Sequence, residues 1–567
     1  MRRPRAALRT PSTPLPPVDW ETPGRATLDE LLPLGVAACM IMLVALNYFA
    51  THGMLLLYGD AVAHLHIARR IFDSRYPGLS QMGGVWLPLP HLLLLPFVQK
   101  MEWWQTGLAG AWPSIICYVG AVVGFYRVAR HMLSVRWAMV AVLFFGLNPA
   151  LIYLSTTAMT EPLFLALMVW SALQLMEFGF ALRAGQTRRA VWRIVWLTLL
   201  LIAAVYTRYD GWIMAFVVWC MALALLVRHW DDGKDLRGVR NAFMVFTVLL
   251  AAAPIGWLVY NAHFFHDPLD FMRGPYSAAA IEKKTSPPGS RHYRGWHNPA
   301  WALLFYTRTA QVDAAAWETG FGVMALALAG LWTAFRKQLE GRGVLALLWF
   351  PLPFYIYSIA YSAIPIFIPQ LWPHSYYNAR YGMEMLPALA LSACVALAWV
   401  QQQWFAGKVK GATALWLVAL AAVLANCVAL FYFKPLVLKE AYQNSSTRIP
   451  MEAAIARELE SMQPGVPILM YVSDHPGAVE TAGIPLKQIV NESDYDSFHA
   501  ALQAPAMHAA YVVAIAGDPV DIAVNAHPEG LTETAVTHVT GQPEVRVYQS
   551  IVFNGAAGSS DGVTGTR

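Results

Sequence analysis

The sequence predicts an α-helical polytopic membrane protein of about eleven transmembrane helices, followed by a small C-terminal soluble α/β domain. Three observations carry this prediction. Of 567 residues, 57% are hydrophobic and only 13% charged, well outside the soluble range. Apolar runs of near-bilayer length recur, starting near residues 31, 107, 136, 159, 190, 211, 241, 319, 343, 383 and 412. After Lys434 the composition turns into that of an ordinary soluble domain.

Residues 1–28 carry Arg2, Arg3, Arg5 and Arg9 with the Pro-rich string TPSTPLPPVDWETP, which cannot bury a core and reads as a disordered arm. Its arginines place the N-terminus in the cytoplasm. The membrane domain spans 29–433, and its first apolar run is too long and too far from the N-terminus for a cleaved signal peptide. With the N-terminus inside, the even-numbered connections RVARHMLSVR, ALRAGQTRRAVWR, RHWDDGKDLRGVR, RKQLEGRG and QQQWFAGKVKG are short and rich in Arg or Lys, as cytoplasmic loops are. An odd span count puts the C-terminus outside the inner membrane. The net charge of +5, spread in these loops, serves topology and does not form a nucleic-acid footprint. The five cysteines all fall in apolar spans, at spacings that fit neither a metal site nor a disulfide framework.

The opposite connections hold His, Asp, Glu, Trp, Tyr and Pro, so chemistry is expected there. The longest are 51–106, 263–299 and 364–382. Within the first, WLPLPHLLLLPFVQKMEWW is apolar, Pro-broken and about half a span long. It reads as an interfacial helix with Trp103 and Trp104 in the headgroup belt, with a re-entrant segment as the alternative. In 434–553, the helical MEAAIARELESM and YDSFHAALQ alternate with the strand-like VPILMYV, LKQIV, AAYVVAIAG, TAVTHVT and VRVYQSI. Residues 554–567 read as a flexible tail.

Several polar groups sit at the outer ends of spans, where a bilayer rejects them unless they find partners. Asp60 follows the first span and opens a helical pattern, sharing a face with His64 at i, i+4, while His66 and Arg70 share another. It is either a catalytic carboxylate or an N-cap. Glu161, before Pro162, is either part of the site or a first-turn carboxylate on the helix dipole. Arg208 and Asp210 are close enough to neutralise each other, and Arg380 beside Tyr381 also fits a snorkelling anchor. Together they form a basin with an exposed carboxylate and two arginines. Such a basin suits a lipid-phosphate donor: the arginines hold the phosphate as a leaving group and the carboxylate takes a proton from an acceptor hydroxyl. Asp60 is the expected base; Arg380 and Arg208 are expected at the donor phosphate; His64, Glu161, Asp210 and His374 are candidates for substrate contact. No metal-ligand spacing is present, and a divalent cation is compatible with the site without being required. A transporter or lipid flippase is the competing class, but such proteins show internal repeats and midplane charges, and neither is seen here.

These residues resemble a known family. GDAVAHLHIAR after the first span, the Pro-rich WLPLP segment, TEPLF at the fourth span and NARYGMEMLP near the last spans are similar to the GT-C superfamily of integral-membrane glycosyltransferases. The branch resembled holds protein O-mannosyltransferases, lipid A aminoarabinose transferases and rhizobial lipopolysaccharide galacturonosyltransferases. The resemblance covers roughly residues 30–433. It implies a polyprenyl-phosphate-linked sugar donor, an inverting displacement, and a lipid, glycan or protein acceptor outside the cytoplasm. It places the family's first-loop catalytic carboxylate at Asp60 and its Arg-Tyr pair at Arg380 and Tyr381. Many relatives carry two adjacent acids in that loop; here Ala61 follows Asp60 and the next acid is Asp73.

Overall fold

The structure is a computed structural model that describes residues 22–230, 236–285 and 292–553. Most of the expected N-terminal arm and the whole expected tail at 554–567 lie outside the described residues. Among the described residues, nine helical segments are long and apolar enough to cross a membrane. They begin with α1 (Leu28–Thr51); the first connection then holds the short helices α2 (Gly59–Asp73) and α3 (Pro88–Val98). Next come α4 (Leu108–Met132), the short α5 (Val135–Gly146), α6 (Glu161–Arg183), α7 (Thr187–Val205), α8 (Asp210–Arg228) and α9 (Arg237–Phe265). After α10 (Pro299–Ala314) the remaining spans are α11 (Thr319–Arg336), a broken span from Arg342 to Tyr361 ending in α12 (Pro351–Tyr361), α13 (Leu386–Trp404) and α14 (Val409–Tyr432).

The expected spans near 136 and 190 fold as α5 and α7, which are helices but are not among the nine: α5 is too short, and α7, at 19 residues, is too charged. α5 ends after 12 residues because Asn148 caps a new turn: its side chain accepts from the Ala150 and Leu151 amides at 2.9 and 3.4 Å, with Pro149 in the first position. α7 carries Arg188, Arg189 and Arg193 in its first two turns, which lowers its apolar share.

α6 is the centre of the bundle, since 83% of its apolar window is buried, against 17% for α1 and 11% for the segment beginning with α14. α11 crosses α13 at Gly330, where a Cβ would lie 1.7 Å from the Ser392 carbonyl oxygen; only glycine permits that approach.

The half-span WLPLPHLLLLPFVQKMEWW folds as α3 and a short helix Met101–Thr106. Trp104 does not join a headgroup belt. It is fully buried beneath the Arg69 guanidinium at 4.6 Å, and only Trp103 keeps partial exposure.

The C-terminal region opens with α15 (Leu436–Ser461) and builds a five-stranded mixed sheet from β1 (Ile468–Met470), β2 (Ile489–Val490), β3 (Tyr511–Ile515), β4 (Leu531–Thr537) and β5 (Val545–Ser550). The order is β2-β1-β3-β5-β4, with β1 parallel to β2 and β3, and β5 antiparallel to β3 and β4. β1, β2, β3 and β5 fall within the stretches expected from the alternation of apolar residues, whereas β4 begins three residues ahead of the expected TAVTHVT and ends inside it. This region also grips α2. Arg448 donates to the Leu56 carbonyl at 2.6 Å, ahead of the helix, and Arg70 near its end donates to Ser493 Oγ at 2.9 Å.

Candidate active site

Asp60 lies in the first turn of α2, but it is not the cap: Tyr58 occupies the N-cap position and no side chain caps the helix. Its carboxylate instead pairs with Arg380. Arg380 stands in a 3-10 turn, Ala379–Met385, that leads into α13. That turn is seated against α10, where a Cβ on Gly382 would meet Asp313 Oδ2 at 2.5 Å and the Ala310 nitrogen at 2.8 Å. Asn378, in the left-handed region at φ 54°, redirects the chain into the turn, a conformation Asn tolerates better than most residues.

From Arg380 the network spreads inward. Its Nε donates to Glu161 Oε1 at 3.1 Å, and its Nη1 lies 3.7 Å from Glu440 Oε1. Glu161, in the first turn of α6, bridges the two arginines, since Arg208 Nη1 reaches the same oxygen at 3.2 Å. Arg208 also meets Asp210 at 3.0 Å, Glu384 at 3.1 Å, Thr160 Oγ1 at 3.0 Å and the Tyr355 hydroxyl at 2.8 Å. Tyr355 donates to Glu384 at 2.7 Å. The Tyr381 ring lies between the two guanidiniums, 4.9 Å from Arg208 and 5.0 Å from Arg380, and stacks on Tyr355, which stacks on Tyr306. Tyr58 donates to Glu440 at 3.1 Å, and the Ala379 amide donates to the same oxygen at 3.0 Å.

Asp60 is the accessible member. Its side chain is 41% exposed, against 8% for Arg380, 14% for Arg208 and 1% or less for Glu161, Asp210, Glu384 and Glu440. Two arginines face five carboxylates, a formal 2 − 5 = −3. A buried site sustains that imbalance only with bound protons or a cationic group. Oxygens of Glu161, Glu384 and Glu440 have no hydrogen-bond partner. No three His, Cys, Asp or Glu side chains among the described residues are placed to hold a metal ion.

The structure therefore gathers Asp60, Glu161, Arg208, Asp210, Arg380 and Tyr381. His64 lies beside the network, close enough to feel the charges of Asp60 and Glu161, but it bonds elsewhere, with Nδ1 2.9 Å from His91 Nε2 and its ring 4.3 Å from that of Trp86. Burial pushes it down to about 4, so it is neutral at neutral pH. Burial also lowers His66, to about 3, ahead of the repulsion from Arg70. His374 is exposed and turns back onto its own loop, with Nδ1 2.8 Å from the Pro369 carbonyl oxygen. Sequence reasoning missed Tyr58, Tyr355, Glu384 and Glu440. Glu384 lies in the same NARYGMEMLP stretch as Arg380, four residues on, and was readable as a charge at a span end.

No family model matches the chain, and no curated protein matches it. Solved structures do. ArnT from Cupriavidus metallidurans bound to undecaprenyl phosphate is similar at a TM-score of 0.54 and 13% identity, over 93% of this chain and 99% of that one. Its apo state is similar at 0.52 and 14%, over 89% and 97%. The apo oligosaccharyltransferase of Archaeoglobus fulgidus follows at 0.45 and 11%, over 86% and 69%. The match to ArnT runs through both the membrane helices and the C-terminal region, and it establishes that this chain shares the fold of those structures.

Proposed function

We propose that the protein is an inverting membrane glycosyltransferase that moves a sugar from a polyprenyl-phosphate-linked donor to an acceptor hydroxyl outside the cytoplasm. The observation that carries this reading is the Asp60–Arg380 pair, an accessible carboxylate on a buried double-arginine wall. The fold shared with an ArnT that binds undecaprenyl phosphate supports the donor class.

In this reading the donor phosphate takes the place of the Asp60 carboxylate on Arg380, and the displaced Asp60 is free to act as a base. The acceptor oxygen attacks the anomeric carbon while its proton passes to Asp60. The bond from that carbon to the phosphate oxygen breaks, and its electron pair leaves with the phosphate. Arg380 faces the growing charge with two N–H bonds, and Arg208 reinforces it through Glu161 and the Tyr381 stack. One displacement inverts the anomeric centre. Glu161, Asp210 and Glu384 hold the arginines in place. Residues 29–433 form the catalytic domain in the cell's inner membrane, with the N-terminus cytoplasmic and 434–553 outside.

Mass spectrometry of the lipids that co-purify tests the donor class. A polyprenyl phosphate or its glycosylated form is expected. Failure to co-purify or bind either, together with no transfer from undecaprenyl-phosphate sugars, would remove the assignment.

A further inference from the structure

At the far end of the bundle lies a second charged cluster that the proposed reaction does not use. Glu177 sits 16 residues after Glu161 on α6, about 24 Å along the axis. Its side chain is 3% exposed and carries an excess of cations: Arg189 at 2.6 Å, Arg193 at 2.9 Å, His131 at 3.4 Å and Arg127 at 3.8 Å. Arg188 beside them is exposed and makes no hydrogen bond or ion pair among the described residues. Among the described residues of this cluster, four arginines against one glutamate leave a formal excess of +3. Arg25 is close enough to Arg193 to add to the repulsion.

A pocket of about 690 Å³ opens here, walled by Arg188, Arg189, Arg193, Trp192 and Trp196. The two tryptophans are 55% and 53% exposed and stand at i, i+4 on one face of α7, next to the arginines. An indole pair at a span end belongs to the bilayer interface, the depth at which lipid phosphates lie. Uncompensated arginines at that depth attract an anion, and the guanidinium fork matches phosphate.

We propose that this pocket binds the phosphate of an anionic phospholipid in the leaflet opposite the candidate active site, with Arg188 as its free anchor and Trp192 and Trp196 against the acyl-glycerol part. A lipid is favoured over a soluble anion because the pocket's apolar wall faces outward from α7. The proposal stands apart from the glycosyltransferase reading and survives its failure.

Native mass spectrometry of the full chain in detergent, offered equal phosphatidylglycerol and phosphatidylcholine, tests it. Preferential retention of phosphatidylglycerol is expected, weakened about fivefold by Arg188→Gln, as fits one lost charge near a lipid surface, and also weakened by Trp192→Ala. Arg188→Lys keeps the charge without the fork and should recover part of it. The lipid-free melting temperature and sugar transfer should not change, because Arg188 has no partner among the described residues. Equal retention of both lipids, or an Arg188→Gln protein that discriminates like wild type, would overturn the proposal. So would protection by millimolar inorganic phosphate equal to that by phosphatidylglycerol, which would mark a soluble-anion site.

Discussion

Replacing Arg380 separates the charge of the proposed donor site from its geometry. The side chain ties together three elements distant in sequence, through Asp60 on α2, Glu161 on α6 at 3.1 Å and Glu440 on α15 at 3.7 Å. Arg380→Ala leaves all three carboxylates without this cation, and removing one partner of a buried pair costs about 3–5 kcal/mol. Arg380→Lys keeps the charge but ends in a single ammonium, which cannot hold Glu161 and offer a phosphate two parallel N–H bonds at once. A lost hydrogen bond to a charged group corresponds to about 1.5–3 kcal/mol, or roughly 10- to 100-fold. The lysine variant is therefore expected to stay folded, with transfer and undecaprenyl phosphate binding down by about that factor. The alanine variant should lose both, along with stability. Binding is read by native mass spectrometry, stability by thermal unfolding of the same preparations. Wild-type behaviour of both variants would remove Arg380 from the donor site. A lysine variant equal to wild type beside a dead alanine variant would refute the role of the fork.

A reporter fused after residue 434 should be active outside the cytoplasm, and one inserted within RHWDDGKDLRGVR should be cytoplasmic; reversed signals would invert the proposed topology. Glu440→Ala deprives the Ala379 amide of its acceptor while the Tyr58 hydroxyl keeps the Val437 carbonyl at 2.8 Å, and one buried donor left unpaired costs about 1–3 kcal/mol. The melting temperature should fall clearly, and an unchanged value would detach α15 from the site. The fold holds His64 neutral, near 4 against 6.5 when unfolded, so its stabilisation is complete above pH 6.5 and is lost as the pH falls towards 4. Asp494, pushed up to about 6 by burial, acts in the opposite sense in every variant. The difference in melting temperature between wild type and His64→Gln should therefore change over pH 4–6.5, and a constant difference would contradict the buried neutral state.

The spans were legible because a bilayer imposes length and apolarity together. The site was legible wherever a charge stood at the end of an apolar run, as Asp60, Glu161, Arg208, Asp210 and Arg380 do. Glu440 escaped because LVLKEAYQNSS reads as an ordinary amphipathic helix start, and only the fold brings its second turn under Arg380. Tyr355 was hidden among the other aromatics of an apolar span, where its hydroxyl's link to Glu384 leaves no mark in the sequence. The i, i+4 spacing placed His64 on the face of Asp60, yet a helix face is broad enough for one side chain to meet Arg380 and the other to meet His91. Trp104 was read as an interface residue from its position beside a half-span, and its burial under Arg69 depends on where α2 packs.

The central claim is that Asp60 takes the acceptor's proton, and one substitution tests it most directly. Asp60→Asn keeps the size and an oxygen that can still accept from Arg380, in a first-turn position that does not cap the helix. Folding and undecaprenyl phosphate binding should be unchanged. Sugar transfer by the purified protein should fall by roughly 100- to 10,000-fold, the loss typical of a general base. A folded Asp60→Asn protein that binds the lipid and transfers sugar at the wild-type rate would contradict the account.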